Sequence, residues 1–500
     1  MSTLTSLARA LARSDVQAKP VAVVRHVHIS ERPLVFIPLA LAGEANAPLA
    51  AMVGSDPDSP GLLVVNQPRN RDERFAFAAE LAHIVVPYLE GFARQAEDVP
   101  AGRGETRRRF LDAPQVVMPN RAGINFARLL GRSTRFRRIA GDYAVDPAVP
   151  VLGRWLSFLA ERAEHPGSCL LVAATEALSL HWASGQSDLE DLNLAALMAW
   201  IAPPDGQTCL EAAAAAEDPL VWPPAGPSTD PSFDNEVLAP LIDAYAHAEG
   251  DAPVRRATAA LERALSGQLM PTWRLIWRAI ALLRALPAGN HVAQRWDGDR
   301  DAFTGYVSYL RDGDGLPQPR RDGAVAAARR LNWLERAQAT YAAQRAFDDP
   351  LAMAEHRMAG EAFAGRVAGA EPDRVDASGK RRTLRPRITV VTQDPLMIEA
   401  GTELRAVSRP AQRATVISVE AVEPGDAVRV VLELAGGMGR SLVAGPGSVP
   451  EIGEWLCYSS LTDGYQPIAE FPDVDGTPWT HGGPPAPYVP ADEDAVEDWS

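Results

Sequence analysis

Between residues 19 and 68 the chain sets four short apolar runs, VAVVRHVHI, PLVFIPLAL, LAAMVG and LLVVNQ, between the turn-forming stretches SERP, GEAN and SDPDSPG. Runs of that length bounded by Gly, Pro, Asn and Asp predict strands joined by tight turns, and hence an antiparallel meander. The stretch RDERFAFAAELAHIVVPYLEGFARQ that follows repeats its apolar positions at helical spacing, so it should cover one face of the sheet, with Pro87 breaking or kinking it. Together they predict a small α+β domain over residues 19–100. Ahead of it, residues 1–18 read as a docking helix with Leu4, Leu7 and Leu11 on one face.

The periodicity weakens over residues 101–150, a connecting segment with basic patches at Arg107, Arg108 and Arg109 and at Arg132, Arg135, Arg137 and Arg138. From 151 to 369 almost every segment reads as helix, including VLGRWLSFLAERAE, DLEDLNLAALMAWIA and PTWRLIWRAIALLRAL, which predicts a large all-α domain. Ser187 and Glu190 have the spacing of a capping box, and Trp273 and Trp277 share a helix face expected to lie in the core.

Residues 370–386 are polar and read as a basic linker. Over 387–472 five β-type runs, RITVVTQ, ELRAVS, ATVISVEAV, AVRVVLELA and EWLCYSS, with the hairpin signal EPGD between the third and fourth, predict a small barrel of the OB or SH3-like kind. Residues 473–500 are acidic and proline-rich and read as an extended or disordered tail. The expected fold class is therefore α+β multidomain: an N-terminal meander with a helix, a central helical domain, a C-terminal barrel and a tail.

A chain of 500 residues that is 46% hydrophobic and 23% charged has the balance of an ordinary globular protein. Cys169, Cys209 and Cys457 lie far apart without CxxC or Cys/His spacing, which argues against disulfides and zinc fingers and favours a cytoplasmic setting. No apolar run is long enough to span a bilayer, so no membrane association is expected. The net charge of −15 is uneven. Eleven carboxylates and no lysine or arginine fall between Pro446 and Ser500, leaving −4 for everything before them. Only Lys19 and Lys380 stand against forty-seven arginines, the bias of a GC-rich bacterial genome, and any lysine-dependent chemistry must use one of those two positions.

That restriction excludes much. The glycine-rich LELAGGMGRSL lacks both the first glycine and the lysine of a P-loop, so Gly436, Gly437 and Gly439 are expected to connect two strands at positive φ, with Arg440 as a contact residue. Protein-kinase, GxSxG and HExxH signatures are absent. Asp297, Asp299 and Asp301 begin like a calcium loop but lack its glycine and its glutamate, so WDGDRDAFTG reads as an ordinary loop.

Two constellations remain. His26 and His28 would share one face of a strand, with Asp56 and Asp58 in a nearby turn, as a metal-dependent hydrolase or nuclease would require. Lys380, Arg381, Arg382, Arg385, Arg387, Arg405, Arg413 and Arg440 concentrate positive charge on the linker and barrel, as phosphate contacts would. The second carries more weight. The expected function is a non-catalytic adaptor without a cofactor, with a protein partner and with nucleic acid on the linker and barrel. The alternatives are the metal enzyme and a purely protein-binding scaffold.

Overall fold

The computed structural model describes residues 3–44, 47–102, 104–312, 324–379, 382–422, 425–439, 441–464 and 470–471. Contacts divide the chain into two units, the bulk of one being Thr5–Leu334 and that of the other Glu335–Ile468.

In the first unit, strands β1 (Leu34–Ala40), β2 (Pro48–Gly54) and β3 (Gly61–Val64) form the expected antiparallel meander. The sheet continues beyond β1 with two parallel strands, β4 (Val116–Met118) and β5 (Leu171–Ala173), in the order β3-β2-β1-β4-β5. All seven residues of β1 are buried, as in a strand covered on both faces. Pro38 is tolerated in this central strand because the β4 ladder ends at Val35; beyond it Ala40 N–H donates to Pro227 O instead.

The first predicted run is not a strand. Residues 21–30 are irregular apart from one bridge between Arg25 and Ala288, with Arg25 N–H donating to Pro287 O. β4 and β5 fall in segments read as connection and as helix; three residues each are too few to carry a period.

Helix α1 (Thr3–Asp15) docks by the face opposite to its leucines. Arg9 is paired with Asp188 and Asp191, and Ala12 is buried, whereas Leu7 and Leu11 are exposed. Helix α2 (Arg71–Gly91) is capped by Asn70, whose side chain accepts from Asp72 N–H and Glu73 N–H, and it continues through Pro87. Helix α3 (Arg121–Thr134), capped by Asn120, crosses α4 (Ala148–Arg162) at two glycines. A Cβ on Gly153 would lie 2.3 Å from Arg135 N, and one on Gly131 would lie 2.9 Å from Ser157 N, so only glycine permits this approach. Ser187 and Glu190 exchange the reciprocal bonds of a capping box at a 3-10 turn, and the α-helix Leu194–Ile201 starts from its own cap at Asn193.

Helix α5 (Asp251–Ala285) buries Leu261, Leu265, Leu269, Trp273, Ile276, Ile280 and Leu283 along one stripe, with Trp277 packed against the same core. Helix α6 (Val292–Asp312) contains WDGDRDAFTG, so the loop expected there is in fact mid-helix. Its Asp299 turns inward and is 1% exposed. It accepts from Ser168 Oγ (2.6 Å), Cys169 N–H (2.6 Å) and Arg162 (3.1 Å), which fastens α6 to the end of α4 and the entry to β5.

In the second unit six antiparallel strands close into a barrel. β6 (Ala362–Glu371), β7 (Arg387–Thr392), β8 (Glu403–Ala406), β9 (Arg409–Val422), β10 (Ala427–Ala435) and β11 (Trp455–Ser459) follow the order β6-β7-β10-β9-β8-β11 around it. Alternate residues such as Ile388, Val390, Val430, Leu432, Leu434, Leu456 and Tyr458 fill the interior. The five predicted runs supply five of the strands. The sixth, β6, lies across the expected boundary between helical domain and linker, so the helical reading to residue 369 ran too far. Its Ala/Gly-rich sequence has few β-branched side chains, yet Gly365 is required: a Cβ there would meet Val391 O at 2.2 Å. Gly436, Gly437 and Gly439 all have positive φ after β10, as the turn reading expected. Among the described residues no helix is long and apolar enough to cross a membrane.

Candidate anion-binding site

Most of the described barrel arginines face carboxylates. Arg387 stands directly opposite Glu433, which lies 3.3 Å away and also takes Arg374 at 2.6 Å. Arg405 is directly opposite Arg413, and Glu403 reaches both, at 3.9 and 3.6 Å. Arg429 lies opposite Glu420 at 3.9 Å, and Arg409 pairs with Glu454 at 3.0 Å. Such exposed pairs add little stability, but they cancel much of the positive field that would draw in a polyanion. Arg382 is exposed and Arg385 is half-buried; neither has an ion pair among the described residues. Lys380, Arg381 and Arg440 lie outside the described residues.

The metal constellation fails on geometry. His26 and His28 do not sit on a strand, so the alternation that would aim both rings at one ion is missing. His26 stacks on His181, and His28 stacks on Trp296 with ring centroids 3.9 Å apart. Asp56 spends a carboxylate oxygen on Asp58 N–H within an exposed turn. Among the described residues no group of three or more His, Cys, Asp or Glu could hold a metal.

The patch at Arg107, Arg108 and Arg109 is largely answered from within. On the hairpin Ala96–Phe110, Arg107 pairs with Asp301 at 2.6 Å and Arg109 with Glu97 and Asp297 at 3.0 and 3.4 Å. Arg109 and Arg300 hold the Glu97 carboxyl below the ordinary range.

The second patch differs, because the fold brings it to two arginines from elsewhere. Arg71 and Arg74 stand in the first turn of α2, where the helix dipole disfavours cations, and Phe75 follows them. α3 ends at the same place and contributes Leu130, Ser133 and Thr134, with Arg137 in the turn beyond. With Pro48 at the start of β2, these eight residues enclose a cavity of about 270 Å³, and none of them is acidic. The guanidinium carbons of Arg71 and Arg137 lie 4.7 and 5.2 Å from the centre of the Phe75 ring. Arg71 donates to Tyr143 O and pairs with the exposed Asp72. Arg74 has no carboxylate within ion-pairing distance among the described residues; its side chain donates to Arg69 O at 3.4 Å.

The end of α3 that faces the cavity is already covered. Ser133 and Thr134 hydroxyls donate to Leu130 O, and Arg137 Nε donates to Ser133 O, which occupies two carbonyls near that end. In the same stretch of chain Arg132, Arg138 and Tyr143 are exposed, and Arg135 lies over the Phe136 ring at 4.5 Å. Clustered guanidinium groups on semi-apolar walls can hold an anion by charge-assisted, forked hydrogen bonds.

Sequence reasoning marked Arg132, Arg135, Arg137 and Arg138 as basic but did not connect them to Arg71, Arg74 and Phe75. The available signal was two arginines in a first helical turn, a local choice against the dipole. No protein-family model, curated protein or solved structure matches the chain significantly.

Proposed function

We propose that the protein is a non-catalytic cytoplasmic adaptor that holds nucleic acid on the arginine-lined face of its Thr5–Leu334 unit while a separate protein performs the chemistry. The observation that carries this reading is the cavity at Arg71, Arg74 and Arg137, which gathers three cations without a lining carboxylate. Phosphate groups are the common biological ligands for such forks, and the exposed Tyr143 suits the stacking of an unpaired base. On this reading the barrel, with most of its described cations paired, serves the protein partner. Ile452 and Trp455, 69% and 62% exposed, are its candidate anchors.

The test is equilibrium binding of a labelled single-stranded oligonucleotide to the full chain at two salt concentrations. Three phosphate contacts predict a log–log salt slope of about −2, or roughly 20-fold weaker binding at 200 mM than at 50 mM salt. The triple variant R71A/R74A/R137A should lose both affinity and slope. Binding that the triple variant leaves intact, or no binding by the native chain, refutes the reading.

A further inference from the structure

The geometry points to a second site in the same unit, independent of the arginine cavity: a cleft for a linear aliphatic polyamine, with an ammonium at each end and methylenes between. The helical run over residues 231–246 contains Pro240, which has no N–H to donate and crowds the carbonyl one turn back. The turn ahead of it, Asp234–Leu238, widens to a π turn in which Ala239 N–H donates to Asp234 O. An α-helix rotates residues spaced four apart by about 40° per step, and the wide turn takes up part of that drift. Asp234, Leu238, Ile242 and Ala246 thus form one row along a cavity of about 500 Å³, with Asn235, Ala239 and Asp243 in the row beside it.

The charges stand apart along this wall. Nine positions separate Asp234 from Asp243, about 13 Å of axis at the rise of an α-helix. Asp234 Oδ2 accepts from Ala42 N–H at 3.1 Å, while its buried Oδ1 has no partner among the described residues. The Asp243 carboxylate has neither an ion pair nor a hydrogen bond among the described residues. Arg69, the cation of the lining, is 81% exposed and is held by Glu44 at 3.2 Å. Between the carboxylates the walls are aliphatic, with Leu238 and Ile242 on the helix and Leu41 and Pro68 on the segments beyond it. Two separated carboxylates suit two cations joined by a hydrocarbon chain, whereas a metal ion needs oxygens that converge. Spermidine, whose terminal nitrogens are about nine single bonds of ~1.5 Å apart, has the reach.

The experiment titrates the full chain in a calorimeter, at about 150 mM salt to screen exposed charge, with spermidine, with the monoamine butylamine and with Mg²⁺. Spermidine should saturate one site roughly tenfold more tightly than either comparator. D234N should weaken it by about tenfold and the more exposed D243N by about threefold. Asparagine at 234 keeps an acceptor for Ala42 N–H, and an unchanged thermal midpoint shows that each variant is folded.

A239F fills the cleft without altering any charge and should abolish binding. E236Q, on the same π turn but outside the lining, removes an exposed carboxylate and should leave the affinity as it was. Binding that survives in folded A239F, or that E236Q weakens as much as D234N does, overturns the cleft in favour of loose counterions on an acidic chain. Butylamine binding as tight as spermidine overturns the two-ended ligand, and Mg²⁺ binding as tight overturns an organic one. No saturable spermidine binding by the native chain overturns the site altogether.

Discussion

Replacing Asp299 by alanine removes a buried carboxylate that serves three donors at once: Ser168 Oγ, Cys169 N–H and the Arg162 guanidinium. The Arg162 and Asp299 side chains are 13% and 1% exposed, so the released charge and amide cannot be rehydrated without opening the junction between α4, β5 and α6. Removing one partner of such a pair costs about 3–5 kcal/mol. In a unit of this size that corresponds to a fall in thermal midpoint of roughly 4 to 7 °C.

Urea unfolding followed by tryptophan fluorescence reads the change, since Trp155, Trp273 and Trp296 report on the same core. The D299N variant should recover only part of the loss, because its amide replaces one acceptor with a donor. The double variant R162A/D299A should be less destabilised than the sum of its single changes, since removing both partners leaves no orphaned charge. A loss below about 1 kcal/mol in D299A refutes a buried clasp, because that is the scale of an exposed pair.

Three further outcomes follow from the geometry. Burial against Trp296 lowers the His28 pKa to about 4, with Arg25 adding to the effect and Asp112 opposing it. Unfolded, the ring titrates near 6.5, so between those values the unfolded chain binds a proton that the folded chain does not. Stability should therefore fall on acidification, by up to about 1.4 kcal/mol per pH unit from this residue. H28F keeps the stack and should flatten that slope in urea midpoints measured at pH 7 and pH 5; an unchanged slope assigns it elsewhere.

G153A should cost about 1–3 kcal/mol by overpacking the α3–α4 crossing. It should also weaken oligonucleotide binding by displacing Ser133, Thr134 and Arg137; a folded variant with native affinity shows that the crossing does not position the site. Finally, E403Q/E433Q in the R71A/R74A/R137A background should create salt-dependent oligonucleotide binding on the barrel, with the slope steepening by about 0.7 for each arginine uncovered. No gain in binding means that these two carboxylates are not what neutralises the barrel.

The sequence was most legible where apolar alternation is strong. RITVVT alternates half-buried and buried residues as a barrel strand should, and PLVFIPLAL is long and apolar enough to mark a covered strand. Elements that owe their form to their neighbours were hidden. β4 and β5 are too short to show a period, and β6 is chosen by a close backbone approach at Gly365 instead of by β propensity.

The candidate sites follow the same rule. The barrel arginines were visible as charge, but Glu403, Glu420 and Glu433 cancel them only once the strand register sets them opposite or diagonal. The Arg71, Arg74 and Arg137 cavity was invisible in composition, since its two halves are about sixty residues apart and meet because α2 and α3 both pack against α4, the latter at two glycines.

The pairing of β6 with β11 has a mechanical consequence. Ala362, where the chain enters the barrel, lies opposite Ser459, where it leaves, and the ladder runs from there to Arg366 opposite Trp455. Tension applied along the polypeptide therefore peels this seam one rung at a time, and never loads its hydrogen bonds together in shear. The barrel should yield to small pulling forces at that seam first, parting Phe363 from Tyr458, however well it resists heat or urea.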